Sequence, residues 1–164
     1  MNAPTSLWPV PLLWFCLSFA GVLHAEPQTV TGKCVGVHDG DSITVLAAGN
    51  VQHKVRLDGI DAPELKQPFS QQSKETLSGL VFGKNVTLNV TGKDRYKRTL
   101  AVVVVNGVNA NLEMVRLGMA WRFDKYSKDE TLLTAQNAAK AVKRGLWSDP
   151  AQVPPWEWRA KAKK

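Results

Sequence analysis

Cysteine is nearly absent from this chain. Among 164 residues there are two, Cys16 and Cys34, too few for a disulfide scaffold. Cys16 lies in an apolar leader, so Cys34 has no partner in the remainder. Set in an alternating apolar stretch, it reads as a small core residue rather than a nucleophile. Histidine is scarce too, with three in all, and no Cys/His pair has zinc spacing. Any metal chemistry therefore turns toward hard, oxygen-bound cations. No apolar run reaches the ~20 residues of a bilayer-spanning helix; the longest fills 11–23. Internal repeats and low-complexity linkers are also missing.

Residues 1–25 contain no Lys, Arg, Asp or Glu, and His24-Ala25 breaks the apolar run ahead of Glu26. This reads as a secretory signal peptide cleaved after Ala25. A retained membrane anchor is the alternative, because no basic residue precedes the apolar stretch. The whole formal charge of +7 lies beyond the leader, which biases the domain toward polyanions such as nucleic acid, acidic glycans or anionic surfaces. The expectation is a periplasmic or secreted monomer, with no membrane association after cleavage and no stable protein partner. A composition 44% hydrophobic and 21% charged is that of a folded chain. One domain over 26–149 suits the length, followed by a basic tail over 150–164, rich in Trp, Pro and Lys and expected to be only partly ordered.

Short segments rich in Val, Thr and Ile predict strands over 29–38, 41–47, 51–60, 85–90 and 100–105. Turn pairs separate several of them: Asp39-Gly40, Gly49-Asn50 and Asn106-Gly107. The spacing of Leu77, Leu80 and Val81 predicts a helix over 70–82 closed by Gly83. Further helices are expected over 111–117 and 130–143, ended by Gly118 and Gly145. Five strands with a helix between the third and fourth predict an α+β fold: a five-stranded OB-fold β-barrel with about three α-helices, a barrel that commonly binds oligonucleotides.

Two stretches concentrate chemistry. Asp39-Gly40-Asp41-Ser42 and Arg56-Leu57-Asp58-Gly59-Ile60-Asp61-Ala62-Pro63-Glu64 bring acidic oxygens and a guanidinium to the ends of adjacent strands. Calcium suits such donors, held by carboxylates, carbonyls and water, and smaller magnesium is the rival. Taken singly, each stretch is also a common turn or helix entry, with Arg56 free to pair with Asp58. Arg98 shares its basic turn with Arg95 and Lys97. Trp156 and Trp158 offer bases a stacking surface, or else pack on the barrel. Trp121, Phe123 and Tyr126 either line the site or, as aromatics do by default, sit in the core.

Jointly, these motifs resemble the staphylococcal nuclease (thermonuclease) family over 35–147. The resemblance runs through the Asp-Gly-Asp turn, the Arg56 to Glu64 segment, the turn Asp94-Arg95-Tyr96-Lys97-Arg98, the 111–118 helix and Gly145-Leu146-Trp147. It implies that Asp41, Asp61 and the main-chain carbonyl of Ala62 hold the metal, Ala62 replacing the threonine of the family's best-known member. It implies Asp39 and Ser42 as supports of the turn, and Glu64 as the residue that positions or deprotonates the attacking water. Arg56 and Arg98 would grip the scissile phosphate, with Tyr96, Arg95 and Lys97 on the nucleotide side. The implied activity is calcium-dependent hydrolysis of DNA and RNA with low sequence specificity, leaving 3′-phosphates. A non-catalytic OB-type module for single-stranded nucleic acid is the alternative, but it has no use for carboxylates that repel a polyanion unless a cation lies between. An adhesive protein for acidic glycans would leave the acids unexplained.

Overall fold

The computed structural model describes residues 28–162; the leader assigned to 1–25 lies outside them. The first three strands are β1 (Thr29–Val37), β2 (Ser42–Ala47) and β3 (Val51–Leu57). They form an antiparallel meander in which Ser42 faces Arg56 and Cys34 faces Val45. A short β4 (Ile60–Asp61) and the helix α1 (Ser70–Val81) lead to β5 (Asn85–Lys93) and β6 (Thr99–Val105). Then follow β7 (Val108–Asn109), α2 (Ala110–Arg116), β8 (Trp121–Arg122), α3 (Glu130–Ala141) and α4 (Pro155–Lys161).

Closure of the sheet comes from two long-range pairings. β5 lies antiparallel to β1, and β3 runs parallel to β6 through Val55–Thr99 and Leu57–Ala101. The ring β1-β2-β3-β6-β5 is thus a closed barrel, which abolishes exposed strand edges. Alternation fills it: Thr99, Ala101, Val103 and Val105 of β6 all point inward. They meet Cys34, Ile43, Val45, Val55, Leu57 and Leu88, each at most 1% exposed. Burying each larger aliphatic of this set contributes about 1.5–3 kcal/mol. Cys34 is core, as its setting implied, and burial pushes its thiol up.

Two expectations need correction. The strand expected over 51–60 is broken: Gly59 adopts φ 77°, and the chain turns a corner at Asp58-Gly59 before β4 pairs with β8. The tail expected to be only partly ordered folds from Pro155 as α4, giving four α-helices among the described residues. Proline at a first helical position presets φ and loses no hydrogen bond there.

One buried side chain welds the helical layer to that corner. Asn111 of α2 accepts from Val103 N at 2.9 Å and donates to Asp58 O at 2.8 Å and Ala101 O at 3.1 Å. Truncating it would strand buried backbone groups, each costing about 1–3 kcal/mol. Asn111→Ala is accordingly expected to lower the unfolding free energy by about 3 kcal/mol in urea denaturation, whereas a loss below ~1 kcal/mol would mean water replaces the amide.

Candidate functional site

The corner at Asp58-Gly59 delivers Asp61 to the mouth of the β2–β3 hairpin, where Asp41 ends the preceding turn. That turn is built locally: Asp39 Oδ1 accepts from Asp41 N at 3.0 Å, the Asx arrangement that short acidic side chains favour. Glycine is required between the two acids because a Cβ at Gly40 would collide with Ser73 Oγ on α1. Asp41 and Asp61 are 2% and 0% exposed.

Such carboxylates survive burial only when paired and hydrogen-bonded. Arg56 Nη1 pairs with Asp41 Oδ1, and Arg56 Nη2 donates to Asp61 Oδ1 at 2.6 Å. The two acids thus share one guanidinium, and Asp58 is not its partner. Asp41 Oδ2 accepts from Ala62 N at 2.7 Å, and Ser42 Oγ donates to Asp41 Oδ1 at 3.1 Å. Burial pushes the Asp41 carboxyl up to about 6; Arg56 pulls it down, and Asp39 adds to the rise.

A second guanidinium reaches the cluster from the far end of the chain. Arg159 of α4 donates to Asp61 Oδ1 at 3.2 Å and Oδ2 at 2.8 Å, and pairs with Glu64 Oε1. Gln67 helps bring it there. Its Oε1 accepts from Glu64 N at 3.0 Å, while its Nε2 donates to Val153 O at 2.6 Å just ahead of α4. In the sequence neither residue stands out as part of the site, and Arg159 is one basic residue of a tail. Pro155 and the helix-forming run after it signalled a helix, but no local signal marked contacts across 98 and 95 positions.

Arg98 stands one hydroxyl away. It donates from Nε to Asp94 Oδ2 at 2.8 Å and from Nη1 to Ser42 Oγ at 3.3 Å, and so reaches Asp41 through Ser42. Tyr96 is exposed in the same turn, with Arg95 and Arg98 guanidiniums 4.8 and 5.7 Å from its ring centre. Arg95 and Lys97 are exposed. Between this turn and the β2–β3 hairpin lies a cleft of about 260 Å³, lined by His38, Asp39, Ser42, Lys54 and Arg98 among others. The aromatics are largely packed: Trp121 meets Trp147 edge to face at 5.4 Å, and Trp156 stacks on Phe123 at 5.3 Å.

The donor set is all oxygen, with four carboxyls (Asp39, Asp41, Asp61, Glu64) around two guanidiniums. That surplus of negative charge fits a hard divalent cation. Among the described residues, no three His, Cys, Asp or Glu side chains gather as a ready-made metal cage. A cation here would lean on the two buried aspartates together with backbone oxygen, water or substrate.

A closed five-stranded barrel with helices packed over it and a charged cluster at one mouth is an OB-fold of the α+β class. Residues 54–149 match the family described as "Staphylococcal nuclease homologue", a span that contains Arg56, Asp61, Glu64 and Arg98 but stops short of Arg159. A Haemophilus influenzae protein named "Uncharacterized endonuclease" is 52% identical over 147 residues, spanning 90% of this chain and 83% of its own. An Escherichia coli O157:H7 protein of the same name is 43% identical over 151 residues, spanning 92% and 95%. A Shigella flexneri protein named "Micrococcal nuclease" is 37% identical over 143 residues, spanning 80% and 82%. The chain belongs to the staphylococcal nuclease family.

The raised Asp41 carboxyl has a signed consequence. A carboxyl whose pKa is higher folded than unfolded binds its proton more tightly in the folded state. Its stabilising contribution is therefore complete below about pH 4 and is lost as pH climbs through 6. In cation-free protein, the stability of wild type relative to Asp41→Asn is expected to fall by roughly 2–3 kcal/mol between pH 4 and 7. Urea titrations across that range read it directly, and a difference independent of pH would show Asp41 ionised throughout.

Proposed function

We propose that the protein is an exported, calcium-dependent nuclease that hydrolyses phosphodiester bonds in DNA and RNA with little sequence preference, leaving 3′-phosphate products. The observation that carries this reading is the interleaving of Asp41 and Asp61 with Arg56, and of Asp61 and Glu64 with Arg159, one hydroxyl from Arg98 and beside a cleft lined by Lys54 and Arg98. A surface built only to hold a polyanion has no use for buried carboxylates at its centre. A hydrolase needs them, since hydrolysis requires a positioned water, in-line geometry and neutralisation of charge growing on the phosphoryl oxygens. Family membership, the names of the relatives and the net charge of +7 support the same reading.

The chain's residues divide that work. Asp41 and Asp61, with the Ala62 carbonyl, would hold the cation, which when bound supplies charge neutralisation and a template for the phosphate. Glu64, half-buried at the rim, orients the attacking water or takes its proton as the bond to the 5′-oxygen breaks. Arg98 offers a planar fork of donors to a phosphate in the cleft, and Arg56 stays charged between the aspartates. Tyr96, Arg95 and Lys97 present a cationic, aromatic surface to the flanking nucleotide. Contacts of that kind go to phosphate and base faces, which carry little sequence information. Export rests on the apolar, uncharged leader over 1–25, and calcium over magnesium on the looser geometry calcium accepts.

Digestion of single-stranded DNA by the purified protein, with calcium, magnesium or a chelator, tests the reading. Calcium is expected to support cutting and the chelator to abolish it. Glu64→Ala and Arg98→Ala are each expected to lower the rate by roughly 10²-fold or more. Binding without cleavage under every divalent ion would replace the enzyme by a single-strand-binding module.

A further inference from the structure

We infer that Arg159 is an internal counter-ion, seated on Asp61 and Glu64, which a divalent cation must displace in order to bind. The inference rests on the metal reading of this site but concerns a residue beyond the family-matched span of 54–149. Asp61 has two carboxylate oxygens. Arg56 takes one, and Arg159 touches both while also holding Glu64. A cation approaching Asp61 meets the Arg159 guanidinium on both oxygens, with Arg56 already on one of them, and a third positive charge at that short range is repelled by both.

The two guanidiniums differ in how readily they leave. Arg56 projects from near the end of β3, is 16% exposed and is clamped by aspartates from two other segments. Arg159 is 36% exposed and stands near the end of a seven-residue helix on the outside of the fold. That helix is docked by contacts that do not involve Arg159: buried Pro155, Trp156 stacked on Phe123, and the Gln67–Val153 hydrogen bond. The side chain can swing into solvent while the backbone stays in place. Without a cation, Arg159 satisfies a carboxylate that is 0% exposed; with one, that task passes to the ion. Binding then carries the cost of undocking Arg159, and apparent affinity falls by the fraction of molecules in which the arginine is seated.

Calorimetric titration of the purified full chain with calcium chloride, in the absence of nucleic acid, tests this without reading activity. Arg159→Gln is expected to bind calcium roughly tenfold or more tightly than wild type. Arg159→Lys, which keeps the charge but loses the fork, should fall between them. Thermal unfolding gives a second readout: cation-free Arg159→Gln should melt below wild type, and calcium should raise its melting temperature by more. Equal or weaker calcium affinity in Arg159→Gln overturns the displacement and makes Arg159 a plain structural support, leaving the metal reading intact. Should Arg159→Gln fail to fold, Arg159→Lys decides alone, by tighter binding than wild type or its absence. If neither wild type nor variants take up calcium, the metal reading and the displacement fall together.

Discussion

A carboxylate shut off from solvent must find a substitute for its hydration, and Asp61 finds it in two guanidiniums. Breaking one partner from such a buried pair costs about 3–5 kcal/mol, enough to set the positions of the segments that supply the partners. Arg56 has to stand near the end of β3 on the face opposite the core residues Val55 and Leu57, and the chain has to turn at Asp58-Gly59 so that Asp61 returns to meet it. β4 then pairs with β8, and α4 has to lie close enough for Arg159 to arrive. Asn111 pins the corner from the other side. The charged cluster is small, yet β2, β3, β4 and α4 all converge on it.

The same arrangement separates rigid from movable parts of the site. Asp41 and Arg56 belong to barrel strands or the turn beside them and are held by the core beneath. Glu64 sits on the loop after β4, tied by Gln67. Arg98 occupies a turn braced by Asp94, with its guanidinium 30% exposed. Arg56 and Asp61 stand on strands, whereas Glu64 and Arg98 stand on the loop and turn beside them.

Much of this was legible in order. Alternating Val, Ile and Thr marked the barrel strands, glycines marked the helix ends, and the spacing from Asp39 to Glu64 marked the acids and Arg56 as one constellation. Val55-Arg56-Leu57-Asp58 alternates and apolar Ile60 follows close behind, so the pattern alone extends the third strand past its true end at Leu57. Only the positive φ of Gly59 breaks it, and a glycine inside an alternating run does not announce its sign. The Pro, Trp and Lys of the tail have the composition of a linker, which hides its order. Pro155 instead begins a helix whose aromatic face has Phe123 to pack against.

The sequence by itself determined the five barrel strands in outline, the first three helices, the barrel class and the grouping of acids with Arg56, since these follow from periodicity and from residue types close together along the chain. Tertiary structure alone decided the partners. Arg56 pairs with Asp41 and Asp61 rather than nearby Asp58, Arg98 is directed to Ser42, and Arg159 closes over Asp61 from 98 positions away. Charge pairing depends on distance through space, and that distance is set by barrel closure and helix docking, which no local pattern encodes.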